Sequence, residues 1–208
     1  PWLIDLSPGT EGAGTAKTLY AHWKGEEYPI QLDGQQATQQ PLTTVIAEYG
    51  SMMPEIAAAD LPTKTGYTFG GYFSKINGGG GQYYDETGKS LKEWNSRAGA
   101  TLYAKWDAGK TKITLDPDGG QQSGTNTLTA TYYEKLPDIT PPTRRGYKFL
   151  GYRDNNGTVY IDGTGKCLRS WDKTDQTYTL TAMWEINQYT LTIEPQNGTA
   201  GTAKQLQY

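Results

Sequence analysis

The sequence predicts an α+β chain that is mostly β, built as tandem small modules of about four strands with at most a short helix each. Three observations predict it. Tyr, Thr, Gly and Pro are abundant, with 16 Tyr, 26 Gly and 11 Pro, whereas the Ala, Leu, Glu and Lys runs of long helices are absent. Short apolar segments alternate with period two, as half-buried strands do. The third is an internal repeat. Thr18-Leu-Tyr-Ala-His-Trp23, Thr101-Leu-Tyr-Ala-Lys-Trp106 and Thr179-Leu-Thr-Ala-Met-Trp184 close successive segments about 80 residues apart, the span of a small domain.

Each copy opens on an alternating strand: Tyr28-Pro-Ile30-Gln-Leu32-Asp, Thr111-Lys-Ile113-Thr-Leu115-Asp and Tyr189-Thr-Leu191-Thr-Ile193-Glu. A second strand follows near Val45 to Tyr49 and near Leu128 to Tyr132. Pro62-Thr-Lys-Thr-Gly-Tyr67-Thr-Phe69-Gly-Gly71-Tyr72 matches Pro142-Thr-Arg-Arg-Gly-Tyr147-Lys-Phe149-Leu-Gly151-Tyr152 and supplies the third strand. Its alternation falls on Tyr147, Phe149 and Gly151. Gly66 and Gly146 precede it, where a turn with positive φ is expected. The fourth strand is the closing Trp segment. Asn77-Gly78, Asn156-Gly157 and Asn197-Gly198 are turn dipeptides.

A short helix fits Pro54–Asp60, while its counterpart Pro137–Pro142 is broken by proline. A second short helix is expected near Lys89 to Trp94, within Asp85-Glu-Thr-Gly88-Lys89 to Trp94 and its counterpart Asp162-Gly-Thr-Gly165-Lys166 to Trp171. The landmarks divide the chain into residues 1–23, the end of a preceding repeat; 24–107 and 108–185, two full modules; and 186–208, the first strands of a following repeat. Trp2 takes the place of Trp94, and Tyr208 that of Tyr49 and Tyr132. With both ends expected inside a module, head-to-tail pairing of two chains that masks exposed strand edges is a further expectation to test by concentration-dependent sedimentation.

Composition narrows the function. The net charge is −3 and the 19 basic residues are scattered, without the basic stripe of a nucleic-acid binder. No apolar run approaches the roughly 20 residues that cross a bilayer. Cys167 is the only cysteine, so the modules close without an intrachain disulfide.

The repeat also tests the candidate reactive groups. His22 aligns with Lys105 and Met183, an interchange that a general base would not survive. Cys167 aligns with Ser90 and has no histidine partner nearby, which reads as a small side chain on a turn. Asp116-Pro-Asp118-Gly and Asp154-Asn-Asn-Gly157 begin like calcium loops but lack the later carboxylate ligands, and both read as turns. Gly78-Gly-Gly-Gly81 is not followed by a Lys-Ser/Thr helix start, so it reads as a turn rather than a phosphate loop. No cofactor is implied.

Aromatic residues are the remaining candidates. Tyr83, Tyr84 and Tyr160 lie in alternating segments, where one residue of each pair is expected to face solvent and could stack on a sugar. Trp94, Trp171, Trp106 and Trp184 are expected in the core, because a small module without disulfides needs large side chains to make one.

The Asp116-x-x-Gly-Gly120 opening, the Pro-Thr-x-x-Gly-Tyr-x-Phe-x-Gly-Tyr block and the Thr-Leu-Tyr-Ala-Lys-Trp close together resemble the Listeria–Bacteroides repeat, also called the internalin B-repeat. The resemblance covers essentially the whole chain. It implies a small β-grasp-like module, strung on secreted and cell-surface bacterial proteins, that spaces other domains and takes part in adhesion without catalytic residues. Its implied partners are neighbouring repeats and an unidentified host or surface protein or glycan. Two positions depart from the family pattern: Tyr72 and Tyr152 stand where Trp is frequent, and the first copy has Asp33-Gly-Gln-Gln for Asp-x-x-Gly-Gly. The alternative reading is a carbohydrate- or protein-binding module that uses an exposed tyrosine-rich strand face.

Overall fold

The computed structural model describes residues 25–191 and 204–207. His22, Trp2, Trp23, Asn197-Gly198 and Tyr208 lie outside the described residues, as does the segment 1–23. Two five-stranded sheets follow one another. In the first, β1 (Glu27–Asp33), β2 (Thr44–Glu48), β3 (Tyr67–Lys75), β4 (Gly79–Tyr84) and β5 (Ala100–Ala108) lie in the order β2-β1-β5-β3-β4. The second repeats that order with β6 (Lys110–Asp116), β7 (Thr127–Thr131), β8 (Tyr147–Arg153), β9 (Val159–Asp162) and β10 (Thr177–Ile186), arranged β7-β6-β10-β8-β9. Beyond them β11 (Gln188–Leu191) and β12 (Lys204–Gln207) pair antiparallel.

The first and last strands of each module are paired parallel in the middle of its sheet, and every other pairing is antiparallel. The fifth strand not foreseen in the sequence is β4 or β9, an edge strand formed by Gly79–Tyr84 or Val159–Asp162. The sequence places Tyr83, Tyr84 and Tyr160 in alternating segments but does not show that these pair as a fifth strand of the sheet.

One face of each sheet is buried. Ile30 and Leu32 of β1, Val45 and Ala47 of β2, and Leu102 and Ala104 of β5 point into the first core. Ile113, Leu115, Leu128, Ala130, Leu180 and Ala182 repeat them in the second. The Gly-Tyr pair on β3 and β8 breaks simple alternation. The register against β5 shifts between Phe69 and Tyr72, a bulge that turns both side chains inward. Gly71 sits there at φ 104°, and a Cβ would collide with the Tyr84 carbonyl; Gly151, at φ 136°, faces the Ile161 carbonyl in the same way. Gly is therefore required, and Tyr147 is only half-buried while Tyr152 is fully buried.

The layer opposite the sheet is made of connecting chain, not of a long helix. Met53 and Ile56 come from the β2–β3 connection and Trp94 from the β4–β5 connection. The expected helix at Pro54–Asp60 is one 3-10 turn, Ala58–Asp60. Residues 137–142 are non-helical. The helix expected near Lys89 to Trp94 is also absent. Backbone groups there bond outward instead: Leu91 N–H donates to Tyr83 O at 2.9 Å, and Trp94 N–H to Ser51 O at 2.9 Å. A helix would have withdrawn those donors.

Trp171 is wholly buried, packs on Tyr160 and Tyr178, and donates its Nε1–H to Thr111 Oγ1 at 3.1 Å. Trp171→Ala should cost about 3–5 kcal/mol through the lost ring and the cavity left behind. Chemical denaturation should show one of two unfolding transitions moving, with the first module's transition in place.

Candidate functional site

The repeated motifs converge on four local devices, three present in both modules and the fourth at the joint between them. The first is the closing tryptophan. Trp106 Nε1–H donates to Gly34 O at 2.8 Å and Trp184 Nε1–H to Pro117 O at 3.0 Å. Each ring meets Phe69 or Phe149 edge-on, at 5.6 and 5.5 Å between centroids. These tryptophans are half-buried, whereas Trp94 and Trp171 lie in the core. They latch the last strand to the turn after the first.

That turn carries the second device. Arg144 Nη1 donates to Asp118 O at 3.0 Å with its guanidinium 4.1 Å from the Tyr147 ring centre. Lys64 Nζ does the same with Gln35 O at 3.1 Å and Tyr67 at 4.9 Å. Around Lys64 an open cleft of about 610 Å³ is lined by Asp33, Gln35, Gln36, Tyr67, Asn77 and Trp106, among others. Gln36 occupies a left-handed position, φ 62°, that Gly119 fills in the second copy at 79°. The departure at Asp33-Gly-Gln-Gln is thus tolerated within the same turn.

The third device is the Asp-x-Thr-Gly-Lys turn. Asp85 Oδ1 accepts from Thr87 N–H, Thr87 Oγ1–H and Lys89 N–H at 2.9, 2.7 and 3.0 Å. Asp162 repeats this with Thr164 and Lys166. The threonine hydroxyl foremost holds both carboxyls below the usual aspartate range. The turn's Gly88 and Gly165 carbonyls then accept from Ile56 and Ile139 N–H at 3.0 and 2.9 Å, fastening the β2–β3 connection or its counterpart over the core.

The fourth is the joint between modules. Gly109, between β5 and β6, donates its N–H to Gly66 O at 2.8 Å and accepts from Tyr132 N–H at 2.9 Å. The Tyr132 ring meets Tyr67 edge-on at 5.6 Å. Half of this bonding recurs at each end: Tyr49 N–H donates to Glu26 O at 2.9 Å, and Asn187 N–H to Gly146 O at 2.8 Å.

The tyrosines expected to form an exposed binding face do not do so. Tyr84 and Tyr160 are fully buried, and Tyr83 is half-buried. The β4–β5 connection covers the second side of the edge strand. Tyr84 packs edge-on against Tyr72, while Tyr83 and Tyr160 lie against Trp94 and Trp171 at 5.6 and 5.0 Å. Tyr84 O–H donates to Pro54 O at 2.9 Å, and Tyr160 O–H donates to Asp172 Oδ1.

The other candidates have local partners. Cys167 Sγ accepts from Leu136 N–H and donates to Arg169 O, at 3.2 and 3.0 Å. Asp116 Oδ1 caps its own turn through Asp118 N–H. Asp154 Oδ1 accepts from Asn156 and Thr158 N–H, and its Oδ2 pairs with Lys173 Nζ at 3.3 Å. Burial opposes its ionisation, but those bonds and the lysine prevail and lower its pKa. Gly78–Gly81 forms the β3–β4 turn and the start of β4. No helix among the described residues is long and apolar enough to cross a membrane.

A family model of the Listeria-Bacteroides repeat domain matches residues 31–105 and 112–182. The chain belongs to that family. It is 31% identical over 201 residues to a protein of Evansella cellulosilytica described as a Gly-rich membrane protein, covering 92% of this chain and 21% of the relative. A second membrane protein of that organism is 27% identical over the same share of this chain and 26% of its own length. Internalin H of Listeria monocytogenes is 35% identical over 107 residues, half of this chain and 18% of the internalin. The chain therefore spans about a quarter or less of the curated relatives it matches.

Burial, with a smaller contribution from Asp116, pushes the Tyr152 hydroxyl up to about 12 from 10.0, and burial also raises Tyr72, Tyr84 and Tyr160. The folded chain then keeps protons that the unfolded chain releases, so this stability is complete below about pH 10 and is lost as pH climbs towards 12. Denaturation midpoints across that range should fall, and less steeply in Tyr152→Phe. At the joint, Gly66 lies at φ 78° and a Cβ there would overlap the Tyr132 ring. Gly66→Ala should cost on the order of 1–3 kcal/mol. Adding Tyr132→Ala should relieve the overlap while leaving the φ strain, a coupling that a double-mutant cycle by denaturation measures.

Proposed function

We propose that this chain is a non-catalytic stalk segment of an extracellular protein on the bacterial cell surface, extending or presenting other domains and contributing to adhesion towards a host or surface protein or glycan. The observation that carries this reading is the one-residue joint at Gly109, bonded through its backbone to both modules. Short joints limit the freedom of neighbouring units, and an array with nearest-neighbour contacts gains reach with each copy. The mixed sheet, with its first and last strands parallel at the centre, supports a β-grasp-like module. The repeated side chains also support a structural role, since each is engaged in a latch, a turn or the core. The membrane-protein and internalin names of the relatives agree with a surface location.

Small-angle scattering on chains of two, three and four repeats tests the stalk. Maximum dimension should rise by a constant increment per repeat; modules folded face to face into a compact particle would sink the idea. The tyrosine-face alternative predicts glycan binding lost in Tyr83→Ala or Tyr84→Ala. With Tyr84 and Tyr160 buried, a glycan array should show no binding that depends on Tyr83 or Tyr84.

A further inference from the structure

Resting on the stalk reading, a mechanical function follows from the strand order. A stalk that holds other domains away from a surface carries tension along its chain. The chain enters each sheet at the N-terminal end of its first strand and leaves at the C-terminal end of its last. Those two strands are hydrogen-bonded neighbours and run parallel: β1 with β5, and β6 with β10. Pulling the ends apart must therefore slide one strand along the other. All bonds of the ladder are then loaded together, whereas a hairpin pulled from its open end loses them one pair at a time.

The two ladders are not equal. The second module registers five pairs, from Lys112↔Thr177 to Asp116↔Thr181, and the first only four, from Ile30↔Ala100 to Asp33↔Tyr103. The missing pair is at Pro29, which aligns with Lys112. Lys112 N–H donates to Gln176 O at 2.8 Å, on the side of the last strand. Bonds on the opposite side of the same strands run from Leu32 N–H to Thr43 O and from Leu115 N–H to Asn126 O, at 2.8 and 2.7 Å. Backbone donors alternate sides along a strand, so the donor absent at Pro29 is one that would face β5. Proline is accommodated here because its missing N–H leaves the β2 pairing whole, and Pro29↔Ile46 remains in register.

We propose that the β1–β5 and β6–β10 ladders are the force-bearing clamps of the array, and that Pro29 sets the first clamp to yield before the second. Under load the first module then releases its length while the second holds, which gives the stalk a graded extension.

The test is single-molecule force spectroscopy on the full 208-residue chain carrying Cys167→Ser, with handles at its two ends. Two unfolding events of unequal force are expected. Pro29→Lys should raise the weaker event towards the stronger, and Lys112→Pro should lower the stronger; circular dichroism checks that each variant is folded. As a control of direction, handles at Glu27→Cys and Glu48→Cys, opposed at the mouth of the β1–β2 hairpin, should unfold the first module at a several-fold lower force. Equal forces in both directions, or two events that neither substitution moves, would overturn the proposal. Unequal, direction-dependent forces from a chain that scatters as a compact particle would instead remove the stalk reading and leave the clamps standing.

Discussion

A single sheet buries one face, and in each module that face is covered by irregular chain rather than by a second sheet or a long helix. Everything else in the fold answers to this constraint. Irregular segments bring backbone donors and acceptors that must be paired where they pass over a core. Here they pair with one another and with the edge strand: Met53 N–H with Lys92 O, Ile56 N–H with Gly88 O and Trp94 N–H with Ser51 O. The aspartate turn supplies the Gly88 carbonyl, and Trp94 supplies the apolar mass that the two connections share. Removing either partner leaves the other without its place.

The same constraint explains why the two copies differ in quality. Trp171 finds Thr111 for its indole N–H, but Trp94 has no such hydroxyl because Tyr28 stands at the position of Thr111. Tyr152 O–H donates to Gln122 Oε1 at 2.7 Å, whereas the Tyr72 hydroxyl is buried without a protein partner. Leaving a buried polar group unpaired costs on the order of 1–3 kcal/mol. The second module is thus the better satisfied of the two.

Much of the fold was legible because the repeat aligned strands with strands. Ile113, Leu115, Leu180 and Ala182 were readable as core from period two alone, and Trp94 and Trp171 from the need of a small module for bulk. Four features were not. The Gly-Tyr bulge shifts the phase of alternation, and a phase shift is invisible to a count of period two. The edge strand β4 is rich in glycine, and its tyrosines are covered on both sides by chain that is distant in sequence. That is why Tyr84 and Tyr160 read as exposed although they are buried. The stretch from Lys89 to Trp94 has a composition that a helix could use, and only its tertiary partners keep it extended. The joint was foreseeable as short, but its bonding was not, since backbone groups leave no trace in residue identity.

Main-chain bonding at the joint bears on how such arrays change over time. The acceptors and donors of the joint are main-chain atoms, and the residue in the linking position is Glu26, Gly109 or Asn187 without loss of the bond made there. The backbone N–H donating from the following module belongs to a tyrosine in both cases, Tyr49 and Tyr132. The main-chain part of the joint thus does not depend on which residue links two modules, while the Tyr132 ring on Tyr67 adds a side-chain match at Gly109. Duplication or deletion of a whole repeat is therefore expected to preserve the main-chain bonds of a join, leaving copy number free to vary.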